Sequence, residues 1–376
     1  IIGATTAITV DDSIDGGAGT DKLSTTDGTL DATDKTALAL GVSNFETILT
    51  SATTAVIVDY NALSAYNTVE VSGATSTANA TAAGQTAGDD SVTVTMENSD
   101  TLVISASRVA ETGGDGAAAT ATSGGDGGDG INVAVKLDNG SNVSNLVFVG
   151  NADITGGAGQ IGSAAVGKTG GDGGDALDAV TTESLNIDIQ SVTAQNTTGT
   201  LVHGDGDTVT FANGLAGAKG TGGNAASAGE DVIVGTNATI TLTNSFGTVA
   251  ATGLAAAIHG SVNLGTVVGS NVTIDGTAFL GNITATTGGG NETLNGGAGI
   301  DTLNGGAGID TITGGAGNDI ITGGTGADAI SGGTGRDAFV LTTTASIAAG
   351  ADTISDFGKV TTAVTASEVN SMTNQA

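Results

Sequence analysis

The sequence predicts an all-β protein that winds into a parallel β-solenoid, or β-roll, with Gly-rich loop insertions. Three observations predict this fold class. Six nine-residue blocks follow one another without a gap at 287–340. Elsewhere, apolar residues come in short runs that alternate with polar ones, as they do in strands. The chain also has no Pro and only 2% aromatic residues, which suits a narrow core of stacked coils better than a thick sandwich core.

The blocks repeat one pattern, G-G-x-G-x-D-x-U-x, in which U is a large apolar residue. Five regular copies occupy 296–304, 305–313, 314–322, 323–331 and 332–340, and a weaker copy, TGGGNETLN, occupies 287–295. A flexible Gly-rich linker is the alternative interpretation. A linker has no need of a strict period with a fixed Asp and a fixed apolar position, so the pattern favours a folded repeat.

Glycine recurs at the first, second and fourth positions of each regular block. Glycine can adopt positive φ, so we expect each block to contain a turn that curls its carbonyl groups toward a common point. The glycines are Gly296, Gly297, Gly299, Gly305, Gly306, Gly308, Gly314, Gly315, Gly317, Gly323, Gly324, Gly326, Gly332, Gly333 and Gly335. Such a turn makes a site of hard oxygen ligands.

An acidic residue at the sixth position completes that site. Calcium takes 6–8 oxygen ligands from carboxylates, carbonyls and water, so the pattern predicts Ca²⁺ as the cofactor. The predicted carboxylate ligands are Asp301, Asp310, Asp319, Asp328 and Asp337, with Glu292 in the weaker copy. The block carries these acidic side chains and one base, Arg336, so we expect it not to fold without calcium.

The apolar eighth position predicts a thin core. In a short strand of three residues, alternation points the middle residue inward while both neighbours face outward. The inward residues are Leu294, Leu303, Ile312, Ile321, Ile330 and Phe339.

These blocks resemble the calcium-binding nonapeptide repeats of the RTX family. The resemblance implies a β-roll in which two nonapeptides make one coil, so that turns of repeats i and i+2 share an edge with an ion between them. Counting such pairs gives about four complete calcium sites in six repeats.

A single further nonapeptide, GGAGTDKLS at 16–24, lies near the start of the chain, and GVSNFETI follows at 41–48. The combination resembles modules of RTX-type surface-layer proteins and implies Asp21 as an additional ligand. One repeat cannot stack on itself, so Asp11, Asp12 and Asp15 are candidates to complete its site. An isolated Gly turn is the alternative.

Composition limits the partners and the compartment. The chain of 376 residues carries 39 acidic and 8 basic side chains, for a net charge of −31, and this excludes nucleic acid as an expected partner. The chain has no Cys, so calcium would supply the rigidity that disulfides give other exported proteins. Millimolar extracellular calcium suits weak repeated sites. We therefore expect an extracellular protein at the bacterial cell surface, and no apolar run predicts a transmembrane segment.

Short alternating runs predict strands in the middle of the chain. They lie at 55–58, 91–96, 102–104, 131–137, 146–149, 185–189, 208–211, 232–234, 238–242 and 272–274. Segments 35–40 and 361–371 could each hold a short helix.

Three Gly-rich stretches, at 113–130, 156–175 and 214–229, interrupt these strands at spacings near 46 residues. Three interpretations remain open. They are flexible loops, polyproline-II-like bundles, or further calcium turns that use Asp126, Asp129, Asp172 and Asp175.

No pattern predicts an active site, so we expect that the protein is not an enzyme. The stretch GSAAVGKT at 162–169 matches a phosphate-binding loop in letters only, because Gly-rich sequence replaces the required flanking strand and helix. His203 and His259 are the only histidines and lie 56 positions apart, without a zinc motif. We interpret His203 as a turn residue.

Four regions are expected: an N-terminal β module at 1–90, a solenoid-like region with the Gly-rich loops at 91–286, the calcium roll and its flank at 287–357, and a tail at 358–376. The segment ADTISDF at 351–357 resembles the element that follows the roll in RTX exoproteins exported by type 1 secretion. The tail lacks the second element expected there, and the first residues Ile1-Ile2-Gly3 suggest a processed or truncated N-terminus.

The sequence therefore predicts a secreted, calcium-dependent structural protein that assembles with copies of itself into a surface layer or filament. Its partners would be further copies of the chain and a cell-surface polysaccharide. An adhesin or matrix protein that binds a glycan or host surface is the alternative.

Overall fold

The structure, a computed structural model, describes a chain made of strands. The described residues are 14–19, 21–25, 29–30, 42–51, 56–59, 68–72, 90–96, 100–105, 108–109, 123–127, 129–135, 143–149, 152–160, 162, 167–179, 184–191, 193–195, 201–203, 208–213, 215–216, 218–219, 225–246, 261–340 and 352–356. They contain no helix. The two segments suggested as short helices, 35–40 and 361–371, lie outside them, as does His259.

The strands are short and number 32 in the described residues. In chain order they are β1 (Ile14–Asp15), β2 (Lys22–Thr25), β3 (Thr29–Leu30), β4 (Val42–Ser43), β5 (Thr47–Thr50), β6 (Val56–Asp59), β7 (Thr68–Val71), β8 (Val92–Met96), β9 (Thr101–Ile104), β10 (Arg108–Val109), β11 (Ile131–Val135), β12 (Val143–Val149), β13 (Ala152–Thr155), β14 (Leu177–Ala179), β15 (Ser184–Ser191), β16 (Thr193–Gln195), β17 (Leu201–His203), β18 (Thr208–Ala212), β19 (Val232–Val234), β20 (Thr239–Phe246), β21 (Ser261–Val268), β22 (Thr273–Asp275), β23 (Ile283–Thr287), β24 (Gly289–Gly290), β25 (Thr293–Gly297), β26 (Thr302–Asn304), β27 (Ala307–Gly308), β28 (Thr311–Ala316), β29 (Ile320–Thr322), β30 (Ala329–Thr334), β31 (Ala338–Val340) and β32 (Thr353–Ile354).

Every strand expected from the alternating runs is present, although residue 55 of the run at 55–58 and residues 136–137 of the run at 131–137 lie outside the described residues. The chain divides into two compact units. Unit 1 comprises 1–185 and 209–233, and unit 2 comprises 186–208 and 234–376.

Unit 1 is a parallel solenoid in which strands β2, β3 and β5 to β9 go alternately to two sheets. One sheet has the order β2-β5-β7-β9-β12 and the other β3-β6-β8-β11-β14-β19. Alternation places one residue of each strand in a stack on its neighbours, which buries a continuous apolar core between the sheets. One such stack, in register along the first sheet, is Leu23, Ile48, Val69, Leu102 and Leu146, all at most 5% exposed.

The described parts of the Gly-rich stretches in unit 1 pack side by side. Backbone hydrogen bonds recur at every third residue: the N–H groups of Gly156, Gly159 and Gly162 donate to the carbonyls of Ala212, Leu215 and Ala218. A period of three is that of a polyproline II helix. Gly127 packs against the backbone of Gly157, where an added Cβ would collide with the carbonyl. The polyproline-II-like interpretation is therefore the one that fits, and the flexible-loop interpretation is wrong for the described residues.

The spacing of these segments is regular only in part. Asp126 and Asp172 stack at a separation of 46 residues, but Asp172 and Ser227 stack at 55. The expected single period thus changes after the second segment, because the chain between the stacked segments varies in length.

Unit 2 contains the nonapeptide repeats and is also a parallel solenoid. Its two sheets have the orders β20-β22-β25-β28-β30-β32 and β21-β23-β26-β29-β31. Partner residues within the repeats lie 18 positions apart, as Thr293 and Thr311 do, so two nonapeptides make one coil. Strands β26, β29 and β31 have the expected three residues, whereas β25, β28 and β30 extend to five or six because pairing continues into the Gly-Gly step.

The apolar eighth positions of the repeats form the expected thin core, with one correction. Leu294, Leu303, Ile312, Ile321 and Ile330 are at most 3% exposed. Phe339 is only half-buried, because β31 is the last strand of its sheet and has a paired strand on one side only.

Candidate calcium sites

The acidic residues of the repeats line up in two columns on the two edges of the roll in unit 2. Odd and even repeats alternate between the edges, since each coil holds two repeats. One column contains Asp301, Asp319 and Asp337, and the other contains Glu292, Asp310 and Asp328. The structure therefore brings the six predicted carboxylates of the repeats together in two groups of three.

Within each column, consecutive turns are joined by a reciprocal pair of hydrogen bonds. The N–H of Asp301 donates to Asp319 Oδ1 at 2.9 Å, and the N–H of Ile320 donates to the Asp301 carbonyl at 2.8 Å. The same bonds join Asp310 to Asp328 and Asp319 to Asp337. One carboxylate oxygen of each acidic residue thus accepts a hydrogen bond from the backbone of the acidic residue before it in the column.

The second carboxylate oxygen has no hydrogen-bond partner although it is buried. This holds for Glu292 Oε2 and for the Oδ2 atoms of Asp301, Asp310, Asp319 and Asp328, residues at most 1% exposed. A buried, unpaired carboxylate oxygen costs several kcal/mol unless a cation or a proton compensates it.

The protonation behaviour of these groups reflects the same cost. Burial raises the pKa of Asp301 to about 7, with the nearby carboxylate of Asp319 adding to it. Burial, followed by the proximity of Glu292, raises the pKa of Asp310 to about 6. Burial also raises the pKa of Asp319 and of Asp328. At neutral pH, a divalent cation beside these oxygens would supply the positive charge that compensates for their burial.

The first glycine of each repeat leaves room for the unpaired oxygen. An added Cβ at Gly296, Gly305, Gly314, Gly323 or Gly332 would meet the Oδ2 atom of the Asp in the same repeat. At Gly314 it would also lie 2.7 Å from the carbonyl oxygen of Gly332. These five glycines do not adopt positive φ. The prediction that the first position needs glycine for a positive φ is therefore wrong. Space around the carboxylate, and not backbone conformation, requires glycine there.

The second and fourth glycines do adopt the left-handed backbone region. Gly315 has φ of 111° and Gly317 has φ of 148°, and the equivalent glycines of the other repeats follow them, except Gly299. An added Cβ at Gly315 would also collide with the carbonyl of Gly297 in the coil before. Both requirements explain why these positions hold only glycine.

This donor set fits calcium. Five of the six acidic residues, all except Asp337, offer a buried oxygen without a hydrogen-bond partner. At Gly296, Gly305 and Gly314, a glycine carbonyl of the next coil crowds the same space. Hard oxygen ligands of this kind are those that Ca²⁺ binds. When bound, the ion supplies the positive charge that the stacked carboxylates lack.

The single repeat in unit 1 has the same local geometry. Asp21 Oδ2 is buried without a partner, and Gly17 and Gly19 have φ of 88° and 140°. The N–H of Asp21 donates to Glu46 Oε2 at 2.7 Å, and the N–H of Glu46 donates back to the Asp21 carbonyl. Asp21 and Glu46 could therefore hold a cation together.

The expected partners of Asp21 stay predictions. Asp15 Oδ1 accepts hydrogen bonds from Asn44 Nδ2 and the Gly17 N–H, which hold the pKa of Asp15 below the usual range. Asp11 and Asp12 lie outside the described residues. Glu46 was not among the predicted ligands, although it lies in the segment GVSNFETI at 41–48.

The weaker copy contributes Glu292, which is the first acidic residue of its column. Glu292 Oε1 accepts a hydrogen bond from the Asn271 N–H at 3.1 Å, and Asn271 Nδ2 donates to Asn237 Oδ1. Asn237 and Asn271 both have φ near 60°. Before the calcium repeats, the uncharged side chains of Asn237 and Asn271 thus occupy this edge of the roll. The acidic residues of the column begin at Glu292.

The acidic residues of the Gly-rich segments in unit 1 form a different arrangement. Asp129 Oδ1 accepts the Asp175 N–H at 2.9 Å, and Asp175 Oδ1 accepts the Glu230 N–H at 2.7 Å. The second oxygen of Asp129 accepts a bond from Asn132 Nδ2. Asp126 and Asp172 are exposed. These carboxylates have protein partners or contact solvent, so they lack the unpaired buried oxygens that mark the repeats.

His203 and part of the apparent phosphate loop, residues 162 and 167–169, lie among the described residues. His203 ends strand β17, which pairs antiparallel with β16, so it lies in a strand and not in the expected turn. Thr169 offers its carbonyl to the Gly124 N–H inside the stacked Gly-rich segments.

The family comparison agrees with this geometry. A family model described as the RTX calcium-binding nonapeptide repeat matches residues 11–29, 286–308 and 304–339, in four copies. The matched segments are RTX calcium-binding nonapeptide repeats. No curated protein and no solved structure matches the chain.

Three predictions are thereby confirmed. The chain carries RTX repeats, these repeats bind Ca²⁺, and the fold is a parallel β-roll. RTX repeats are typical of secreted proteins, which agrees with the expected extracellular location. Among the described residues, no helix is long and apolar enough to cross a membrane.

Proposed function

We propose that the protein is a structural component of a bacterial surface layer or extracellular filament, which assembles with copies of itself when calcium is present. The observation that carries the proposal is the acidic surface of the Gly-rich segments in unit 1. Asp126 and Asp172 are exposed and stack in register, with Asp126 Oδ1 accepting the Asp172 N–H at 2.8 Å. The described part of this surface is negatively charged, and recurring backbone hydrogen bonds join its segments.

Charge makes assembly dependent on divalent cations. Copies that each carry a net charge of −31 repel one another. Monovalent salt at physiological strength screens this repulsion only beyond about 8 Å, so acidic groups brought closer than that still repel. Carboxylates on a rigid surface can share divalent cations with the same surface of another copy. Unit 2 needs the same ion for its fold, so one cation would control both folding and assembly.

We also propose that this role is non-catalytic. The supporting observation comes from the sequence, in which there is no Cys and the two histidines, His203 and His259, lie 56 positions apart without a zinc motif. Incubation of the calcium-loaded protein with ester, glycoside and peptide substrates should give no turnover above that of heat-treated protein. Saturable turnover would contradict this part of the proposal.

Light scattering and negative-stain microscopy test the assembly. The protein should form lattices or fibres in millimolar calcium, dissolve on chelation, and stay monomeric in sodium chloride of equal ionic strength. The double variant Asp126→Asn, Asp172→Asn should change the calcium dependence of assembly, while the matched variant Asp275→Asn should not. A protein that stays monomeric in calcium but binds a glycan or host surface would favour the adhesin function.

A further inference from the structure

A carboxylate outside the repeats continues one of the calcium columns in unit 2. The N–H of Asp328, in the fourth regular repeat, donates to Asp352 Oδ1 at 3.2 Å, and the N–H of Thr353 donates to the Asp328 carbonyl at 2.7 Å. This is the same reciprocal pair that joins consecutive repeats. Asp352 lies outside the segment 304–339 that matches the repeat family.

The strand register gives Asp352 the position of a repeat carboxylate. In the repeats, the residue after the acidic one begins a strand that pairs with the equivalent residue 18 positions on, as Thr311 pairs with Ala329. Strand β32 continues this sheet, with Ala329 paired to Thr353 and Ile330 to Ile354. Asp352 therefore follows Asp328 in the column at a separation of 24 residues instead of 18.

The oxygen that would bind the ion is available on Asp328. Its Oδ2 atom is buried without a hydrogen-bond partner, and the residue is 1% exposed. Gly323 leaves space at this atom, because a Cβ there would meet it. Asp328 thus has one turn of the roll before it, at Asp310, and the turn of Asp352 after it.

A second carboxylate in the same segment has a different environment. Asp356 accepts hydrogen bonds from Ser331 Oγ and from the N–H groups of Gly332 and Gly333. Its oxygens are occupied by protein donors, so Asp356 attaches the segment to the roll without an ion. Segment 352–356 therefore holds one carboxylate that continues the column, Asp352, and one whose oxygens accept hydrogen bonds from the last coil, Asp356.

We propose that Asp352 completes a further calcium site with Asp328, at the end of the roll and outside the repeats. When an ion is bound, this site adds a second attachment of segment 352–356 to the last coil, beside the hydrogen bonds of Asp356 and the pairing of β32. It raises the number of acidic pairs in the roll by one beyond those that the repeats alone supply.

Calcium counting by native mass spectrometry, or equilibrium dialysis of the full chain, tests the proposal. At a free calcium concentration that just saturates the wild type, Asp352→Asn should bind one ion fewer. The amide keeps an oxygen that can accept the Asp328 N–H, so the variant should fold. Asp275→Asn, whose carboxylate holds only the N–H and hydroxyl of Thr277, is the matched control and should lose none.

A double variant separates a binding role from a merely structural one. Asp328→Asn should lose two ions, because Asp328 pairs with both Asp310 and Asp352. Adding Asp352→Asn to it should lose no further ion. An unchanged count in Asp352→Asn, a loss of more than one ion in that variant, or an additional loss in the double variant would overturn the proposal.

Discussion

The N–H of Asp301 donates a hydrogen bond to Asp319 Oδ1 at 2.9 Å, while Asp319 Oδ2 lies buried without a partner. One carboxylate therefore has two tasks. Its first oxygen holds the backbone of the coil before it, and its second oxygen is left for a cation. This division explains why a repeat needs an acid at this position, since neither a hydroxyl nor an amide offers both an acceptor and a charged ligand.

Asp319 lies between two acidic neighbours, whereas Glu292 has only one, Asp310. We expect Asp319→Asn to raise the calcium midpoint for folding by at least about 10-fold, because it removes a charged ligand from two pairs of turns. Glu292→Gln should raise it less, since it changes one terminal pair. Calcium titrations followed by circular dichroism measure both. Equal midpoints and equal stoichiometries would contradict the sharing of ions between turns.

The first glycine of a repeat should matter for binding through space alone. We expect Gly314→Ala to weaken calcium binding strongly, because its Cβ would meet Asp319 Oδ2 and lie 2.7 Å from the Gly332 carbonyl oxygen. Gly288→Ala is the matched control, because an added Cβ there has no atom within 4 Å and the backbone does not have positive φ. Calorimetric titration checks the pair. Similar calcium affinities in the two variants would show that the space beside Asp319 Oδ2 is not needed for binding.

Much of the roll could be predicted because its signals are local. A fixed Asp, a fixed apolar residue and glycines at fixed positions occur within each nine-residue block, so the coil, the thin core and the carboxylate columns follow from the period. The reason for the first glycine could not be predicted. It depends on where the carboxylate turns in three dimensions, which no pattern of letters records.

Glu46 and Asp352 could not be predicted for a related reason. They occupy the positions of repeat carboxylates at separations of 25 and 24 residues from their partners, outside the period of 18. In a solenoid, hydrogen bonds between neighbouring strands fix the register, while the chain between strands can vary in length. A ligand that follows a longer connection is therefore recognised only when the coils are seen stacked.

Acid should weaken calcium binding and stabilise the metal-free roll. The pKa values of Asp301 and Asp310 rise to about 7 and about 6 on folding without metal, from an ordinary value of 3.8. Groups with raised pKa values add stability that is fully present below pH 3.8 and is lost as pH rises through about 7. The metal-free protein should thus keep more β structure at pH 5 than at pH 8.

Calcium has the opposite dependence, because it competes with protons for the same oxygens. The calcium midpoint should rise as pH falls below about 7. Circular dichroism at pH 5 and pH 8, with and without calcium, measures both effects. A calcium midpoint independent of pH over this range would argue against protonation of the buried carboxylates.

Asp129 in unit 1 should oppose stability at neutral pH. Burial raises its pKa to about 7, with Asp90, Asp175 and Asp178 adding to the effect. Asp129→Asn keeps an acceptor for the Asp175 N–H and removes the charge, so it should stabilise unit 1 by on the order of 2 kcal/mol at pH 8. At pH 5 it should stabilise the unit by less than half as much, because the cost of the charge builds up between pH 3.8 and about 7.

Exposed Asp126 offers the matched control, because its Oδ1 accepts the Asp172 N–H in the same way. Asp126→Asn should leave the stability of unit 1 nearly unchanged. Denaturant unfolding followed by hydrogen exchange in β8 and β11 reports on unit 1. Equal effects of the two variants at pH 8 would show that burial of Asp129 is not the cause.

Hydrogen exchange of the full chain, measured with calcium and with excess chelator, tests whether the carboxylate columns of the roll require the cation. With calcium, the amides of 293–340 should be protected, including those of Asp301, Asp310 and Asp319 that donate to the next carboxylate. On chelation this protection should disappear, while β8 and β11 of unit 1 keep theirs. Unchanged protection of 293–340 after chelation at neutral pH would contradict the account.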